Sequence, residues 1–274
     1  MALPALLPGF ALGFVPVALA VVLCLQQHRE RSITVEDISL SDALSGIATA
    51  AIAMTTVVAL ASPSVSVVLA LVLMRGGVLF LAPLVDLHHG RQVQPVSWLA
   101  LGLSVMAVLI GVIAQPGMGL DHTLLLVLMV YLAAYAVRLS LMIRHAKRHE
   151  RGTRADWFRR ELIVSTTFLG VVGAVIWVVS ARELPPLSSV STGASYGLVL
   201  AFGSLIYLDP RETTFAVPIN RAASLCSGIV AAGVLALLTG ASLPPWADVL
   251  AAGLVAGALV MLLRHDLTER AINP

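Results

Sequence analysis

The side chains in this 274-residue sequence that could do chemistry are few, and the arginines stand out. Arg75 lies at the centre of an apolar run, 64–86, and is followed by Gly76-Gly77, where the backbone can be approached closely. Arg221 lies eight residues into a second run, 213–239, behind Pro218 and Asn220. A charge at mid-bilayer costs about 2.5–3.5 kcal/mol on insertion scales and usually faces a cavity. A guanidinium in such a place suits an anionic or zwitterionic ligand carrying carboxylate or phosphate, because its planar fork matches those oxygens. The alternative is structural: Arg75 ties helix ends together through backbone carbonyls.

Tyr131, Tyr135 and Arg138 recur at helical spacing and share one face. With Ser188, Thr192, Ser195 and Tyr196 they could line a hydrated cavity, or they could hydrogen-bond between helices. Arg138 is also close enough to the basic end of its helix to snorkel toward water. Acidic residues are expected only in loops or within a turn or so of a span end. Arg75 must then find backbone carbonyls, water, a carboxylate brought from a helix end such as Asp42 or Asp86, or an anionic ligand. The same placement of the acids also argues against simple proton coupling through a mid-membrane acid, leaving exchange or facilitated movement open.

Other patterns dissolve on inspection. Gly193-Ala-Ser195-Tyr-Gly197 spells the nucleophile-elbow motif, but that motif needs a strand–turn–helix setting with His and carboxylate partners. Here it falls inside an apolar helix, and no histidine lies at depth. His145 and His149 have metal-ligand spacing but stand among Arg144, Lys147, Arg148 and Arg151, which repel a divalent cation. No catalytic residue, metal or cofactor is expected, and the chain does not read as an enzyme.

The elements that must position these residues follow from composition. Apolar residues make up 58% of the chain and charged residues only 12%, with a net charge of +2. So little charge cannot cover a soluble core of this size. Nine runs are long enough to cross a bilayer: 6–25, 40–61, 64–86, 97–115, 121–143, 162–180, 187–208, 213–239 and 245–264. With the N-terminus outside and the C-terminus inside, the inner connections collect thirteen basic residues and the outer ones only Arg182. The inner loop 144–161 is the most basic, and residues 144–160 are expected to meet anionic lipid headgroups. Trp98, Trp157, Trp177 and Trp246 lie near span ends and read as interfacial anchors. Cys24 and Cys226 read as small buried apolar residues.

Two stretches share a grammar. Arg75-Gly76-Gly77 through Pro83 and Asp86 leads to Gly90-Arg91, Pro95, Trp98 and Gly102. Pro218, Asn220-Arg221 and Ser224 lead to Gly240, Pro244, Trp246 and Gly253. The first connection falls inside and the second outside, so the two units are inverted. Here the sequence resembles the drug/metabolite transporter superfamily, particularly its EamA-like branch. The likeness rests on residues 70–113 and 214–262. It departs from the family pattern in lacking the Glu of a Gly-Glu pair at Gly90-Arg91 and Gly240-Ala241. The resemblance implies two inverted halves of five helices, so nine spans would fit a member without its first helix.

The expectation is an all-α polytopic membrane helix bundle of nine, or ten, transmembrane helices in two inverted repeats. A first half, 1–116, holds four helices, and a second, 117–274, holds five. The expected function is secondary transport, by alternating access, of a small anionic or zwitterionic metabolite or lipid across a bacterial inner membrane. Arg75, Asn220, Arg221, Tyr131, Tyr135 and Arg138 are the candidate substrate-binding residues. The alternative is an interaction or assembly role through the basic loop. No nucleic-acid partner is expected, and Gly253-x-x-x-Gly257 is compatible with internal packing or a homodimer.

Overall fold

A computed structural model describes residues 3–27, 37–61, 67–113, 122–145, 151–180 and 184–207. Beyond these it describes the isolated positions 220, 237, 246–247, 249–250, 253–254, 257–258, 260–261 and 264. The regular elements are all helices: α1 Leu3–Gln27, α2 Leu40–Ala61, α3 Val67–His88, α4 Pro95–Ile113, α5 His122–His145, α6 Arg151–Val179 and α7 Leu187–Tyr207. Among the described residues four helices are long and apolar enough to cross a membrane, through Leu6–Leu25, Leu40–Ala59, Leu124–Arg144 and Ala155–Val179. Of the last two predicted spans, 213–239 falls almost wholly outside the described residues, and 245–264 is described, as helix, at eleven of its twenty positions.

Local chemistry sets the helix ends. Ser39 caps α2: its hydroxyl accepts from the Asp42 amide at 3.2 Å, while the Asp42 carboxylate accepts from the Ser39 amide at 3.0 Å. This reciprocal box satisfies two amides that a helix start leaves without partners. At the end of α3, Gly90 adopts φ 65°. The Arg91 amide then donates to the Asp86 carbonyl and the Gly90 amide to the Leu87 carbonyl, each at 3.0 Å. Gly is the residue that takes this left-handed closure without steric cost. Pro95 opens α4, where its missing N–H costs nothing. Pro8 and Pro16 lie inside α1 and Pro83 inside α3, as membrane-type helices tolerate.

The start of α6 departs from expectation. Residues 144–161 read as a loop, yet α6 begins at Arg151 and runs through the charged stretch Asp156–Glu161. Two of its charges, Arg160 and Glu161, are matched by side chains of neighbouring helices, as described below. Trp157 is correspondingly buried at 2% exposure and does not act as an interfacial anchor. Cys24, expected inside, is exposed.

The helices gather into two compact units. One comprises Met1–Val65 and Asp121–Pro210, the other Ser66–Leu120 and Arg211–Pro274. In the first, α6 packs against both α1 and α2, α7 against α1, and α5 against α2. The close approaches also give direction. Gly9, Gly13 and Phe14 of α1 meet Ser189, Ala194 and Gly197 of α7 in rising order, so the pair is parallel. Gly173 of α6 faces Ala11 and Gly170 faces Val15, so α1 and α6 are antiparallel. Asp42 and Gly46 of α2 meet Arg160 and Val164 of α6, another parallel pair.

Two glycines make these parallel contacts close. A Cβ at Gly193 would run into the Phe10 carbonyl oxygen, and one at Gly46 into Val164 and the Glu161 carbonyl oxygen. Their local sequences also correspond: Leu40-Ser41 and Ser45-Gly46 in α2, Leu187-Ser188 and Thr192-Gly193 in α7, at equal spacing. In the second unit α3 packs on α4, and Ala100 of α4 is buried against Ala258 with Val96, Leu103 and Met261 around them. Many large apolar side chains on the helices, Leu12, Leu126 and Phe202 among them, are exposed, as lipid-facing residues are.

Candidate functional site

The polar centre of the first unit is built from four helices. Arg138 of α5 is 1% exposed and Glu161 of α6 is 0% exposed. Arg138 Nε donates to Glu161 Oε1 at 2.6 Å and Nη2 lies 3.4 Å from Oε2, a side-on bidentate pairing. Nη2 also donates to the Ser204 hydroxyl of α7 at 2.8 Å. On the other side, the Thr49 and Ser45 hydroxyls of α2 donate to Glu161 Oε1 at 2.5 and 3.1 Å. One carboxylate therefore collects a guanidinium edge and two hydroxyls. Such saturation is what a buried ion pair needs, because each charge leaves water at a cost of several kcal/mol.

A second pair lies one turn toward the basic end. Arg160 Nε donates to Asp42 Oδ2 at 2.7 Å, and the Ser39 hydroxyl reaches the same oxygen at 2.8 Å. Asp42 thus serves the α2 cap and an interhelical bridge together. Successive residues Arg160 and Glu161 turn to α2 and to the α2–α5–α7 centre, so α6 crosses the bundle by alternating its charges.

These contacts correct two readings. Arg138 does not snorkel, since it is enclosed and paired. Acidic residues are not confined to loops and helix ends: Glu161 lies well inside α6, within the membrane-length segment Ala155–Val179. The hydropathy run misses it because Arg159 and Arg160 precede it, which makes the stretch look like solvated loop. The signal that could have found it is Ser45 and Thr49, two hydroxyls one turn apart in α2, together with an arginine at depth in α5.

Tyr131 and Tyr135 are buried on the Arg138 face of α5, with ring centroids 4.8 Å apart. Ser188, Thr192 and Tyr196 of α7 lie elsewhere. They line a cleft of about 210 Å³ with Leu6, Phe10 and Thr56, at the far end of the bundle. Its threonine hydroxyls are turned to their own helices, Thr192 to the Ser188 carbonyl and Thr56 to the Ile52 carbonyl, both at 2.7 Å. The Tyr196 ring packs edge-on to Phe10 at 5.4 Å. The cleft is smaller than the 300–1,000 Å³ usual for small-molecule sites.

The remaining candidates belong to the second unit. Arg75 lies within α3, its side chain outside the described residues. Asn220 is helical and half-buried, and Arg221 lies outside the described residues. Of the two carboxylates proposed for Arg75, Asp42 is bound as above, and buried Asp86 stands 3.8 Å from Arg91 at the end of α3. Ser195 sits in mid-α7, where Gly193 and Gly197 bring that helix against α1. The motif glycines there serve packing, not a strained turn. Among the described residues no three His, Cys, Asp or Glu side chains gather as metal ligands.

The arrangement can hold charge and fix helices, and its carboxylate is fully engaged by donors. No family model matches the chain, and no curated protein matches it in sequence.

Proposed function

We propose that the protein is a secondary carrier of the bacterial inner membrane, moving a small anionic or zwitterionic metabolite or lipid by alternating access. The observation that carries this reading is the matched pair of helix interfaces in the first unit. Phe10 of α1 lies over Gly193 of α7 as Glu161 of α6 lies over Gly46 of α2. One turn on, Tyr196 meets the Phe10 ring where Thr49 meets the Glu161 carboxylate. Exchanging α1 with α6 and α2 with α7 turns one interface into the other, and α1 and α6 are antiparallel. This supports an inverted repeat that steps by five helices, the construction on which rocking-type carriers are built. The same step relates the shared grammar around Arg75 to that around Arg221.

In this reading the Arg138–Glu161 pair belongs to the fixed frame, because its donors and acceptors satisfy one another. Arg75, Asn220 and Arg221 remain the groups that receive the substrate's anionic moiety. The test is counterflow of labelled carboxylates, phosphates and zwitterions in proteoliposomes. Uptake of one class is expected, with a tenfold or greater loss in Arg75→Ala, since one charge-assisted hydrogen bond is worth about that factor. No counterflow for any class would overturn the carrier reading. Undiminished Arg75→Ala activity would remove the role of that arginine alone.

A further inference from the structure

Three arginines of the first unit can be compared directly. Arg138 uses its Nε–Nη2 edge on Glu161, and Arg160 uses Nε on Asp42. Arg159, between them in sequence space and 1% exposed, differs. Its Nη1 reaches Asp156 Oδ1 at 3.2 Å, but Nε and Nη2 are buried and have no hydrogen-bond partner among the described residues. Nε and Nη2 form the side-on fork, the edge whose two parallel N–H groups match a carboxylate or phosphate. Leaving charged donors buried without an acceptor is costly, and native structures rarely do so.

From this we infer that Arg159 is an oxyanion-binding residue whose fork takes a carboxylate or phosphate group at the basic end of α6. Three features fit. Arg159 is the fifth residue of the membrane-length segment Ala155–Val179, so it lies about one turn from that segment's basic end. Asp156 is 32% exposed, so the route to the guanidinium passes a side chain that already meets solvent. Among the described residues, the carboxylates of Asp42 and Glu161 are already held by Arg160 and Arg138. Asp156 then acts as a competitor: its charge sits on the same guanidinium and opposes an incoming anion.

The source of the oxyanion is settled by experiment. Full-length protein in neutral detergent is titrated with inorganic phosphate and with acetate against chloride of equal ionic strength, following thermal stability. In parallel it is placed in nanodiscs of phosphatidylcholine alone or with phosphatidylglycerol. Stabilisation by phosphate or acetate identifies a free anion, and stabilisation by phosphatidylglycerol alone identifies a lipid headgroup. Either must weaken by about ten- to a hundred-fold in Arg159→Met, the factor that one charged hydrogen bond carries. Arg159→Lys must also weaken it, because the charge remains while the fork is lost. Asp156→Asn must tighten it, and decides the matter if Arg159→Met does not fold. Equal responses in the wild type and Arg159→Lys, or no gain in Asp156→Asn, would overturn the inference. Since only binding is read, a failed transport assay leaves it standing.

Discussion

Removing Glu161 should be among the most damaging single changes in the first unit, and removing Arg138 along with it should be far less so. In Glu161→Met the guanidinium loses both carboxylate oxygens and keeps the Ser204 hydroxyl at 2.8 Å. An uncompensated buried charge costs about 3–5 kcal/mol. The two α2 hydroxyls lose their acceptor as well, but neutral interhelical bonds in membranes average only about 0.6 kcal/mol and at most about 2. The charge therefore dominates, and Ser45→Ala or Thr49→Ala alone should cost no more than about 2 kcal/mol. In Arg138→Met/Glu161→Met both charges leave together. Replacing a buried pair by apolar groups is often neutral. The double variant should then lie within about 2 kcal/mol of wild type, and the cycle should show a coupling larger than the cost of either single change. The assay is equilibrium unfolding in mixed micelles of rising denaturing-detergent fraction. If the double variant loses the sum of the two singles, the side chains do not act on one another and the pairing argument fails.

Other consequences follow from the same packing. Gly193→Val places a Cβ against the Phe10 carbonyl and should destabilise by at least the 1–3 kcal/mol typical of overpacking, whereas Gly102→Val, with nothing within 4 Å of its Cβ position, should not; thermal unfolding compares them. Asp42→Ala removes the carboxylate half of the α2 capping box together with the bridge to Arg160 and should cost about 1–2 kcal/mol, more than Arg160→Ala, because Arg160 is 21% exposed and its share of the bridge is screened. Reporter fusions should place residue 150 on the cytoplasmic side, and an external signal there would overturn the charge-based orientation.

Helix positions were largely legible. The bounds of α2 coincide with the hydropathy run 40–61, and α7 differs from 187–208 by one residue. Both rest on local quantities: apolar length, Pro-Pro before α7, Ser and Asp before α2. The start of α6 was not legible for a physical reason as specific. A charged stretch in isolation belongs in water, yet Arg151–Glu161 is helix, and its Arg160 and Glu161 find Asp42 and Arg138, residues far away in sequence.

By itself the sequence determined that the chain is helical and membrane-like, where most helices run, and that Arg138 shares a face with Tyr131 and Tyr135. These depend on composition and on a period of 3.6 residues, both properties of a single segment. Tertiary structure alone decided that Arg138 is neutralised by Glu161, that Arg159 keeps its fork edge without a partner, and that α1–α7 and α6–α2 meet in matching ways. Those are relations between helices, and the energy of a buried charge depends on which partner reaches it.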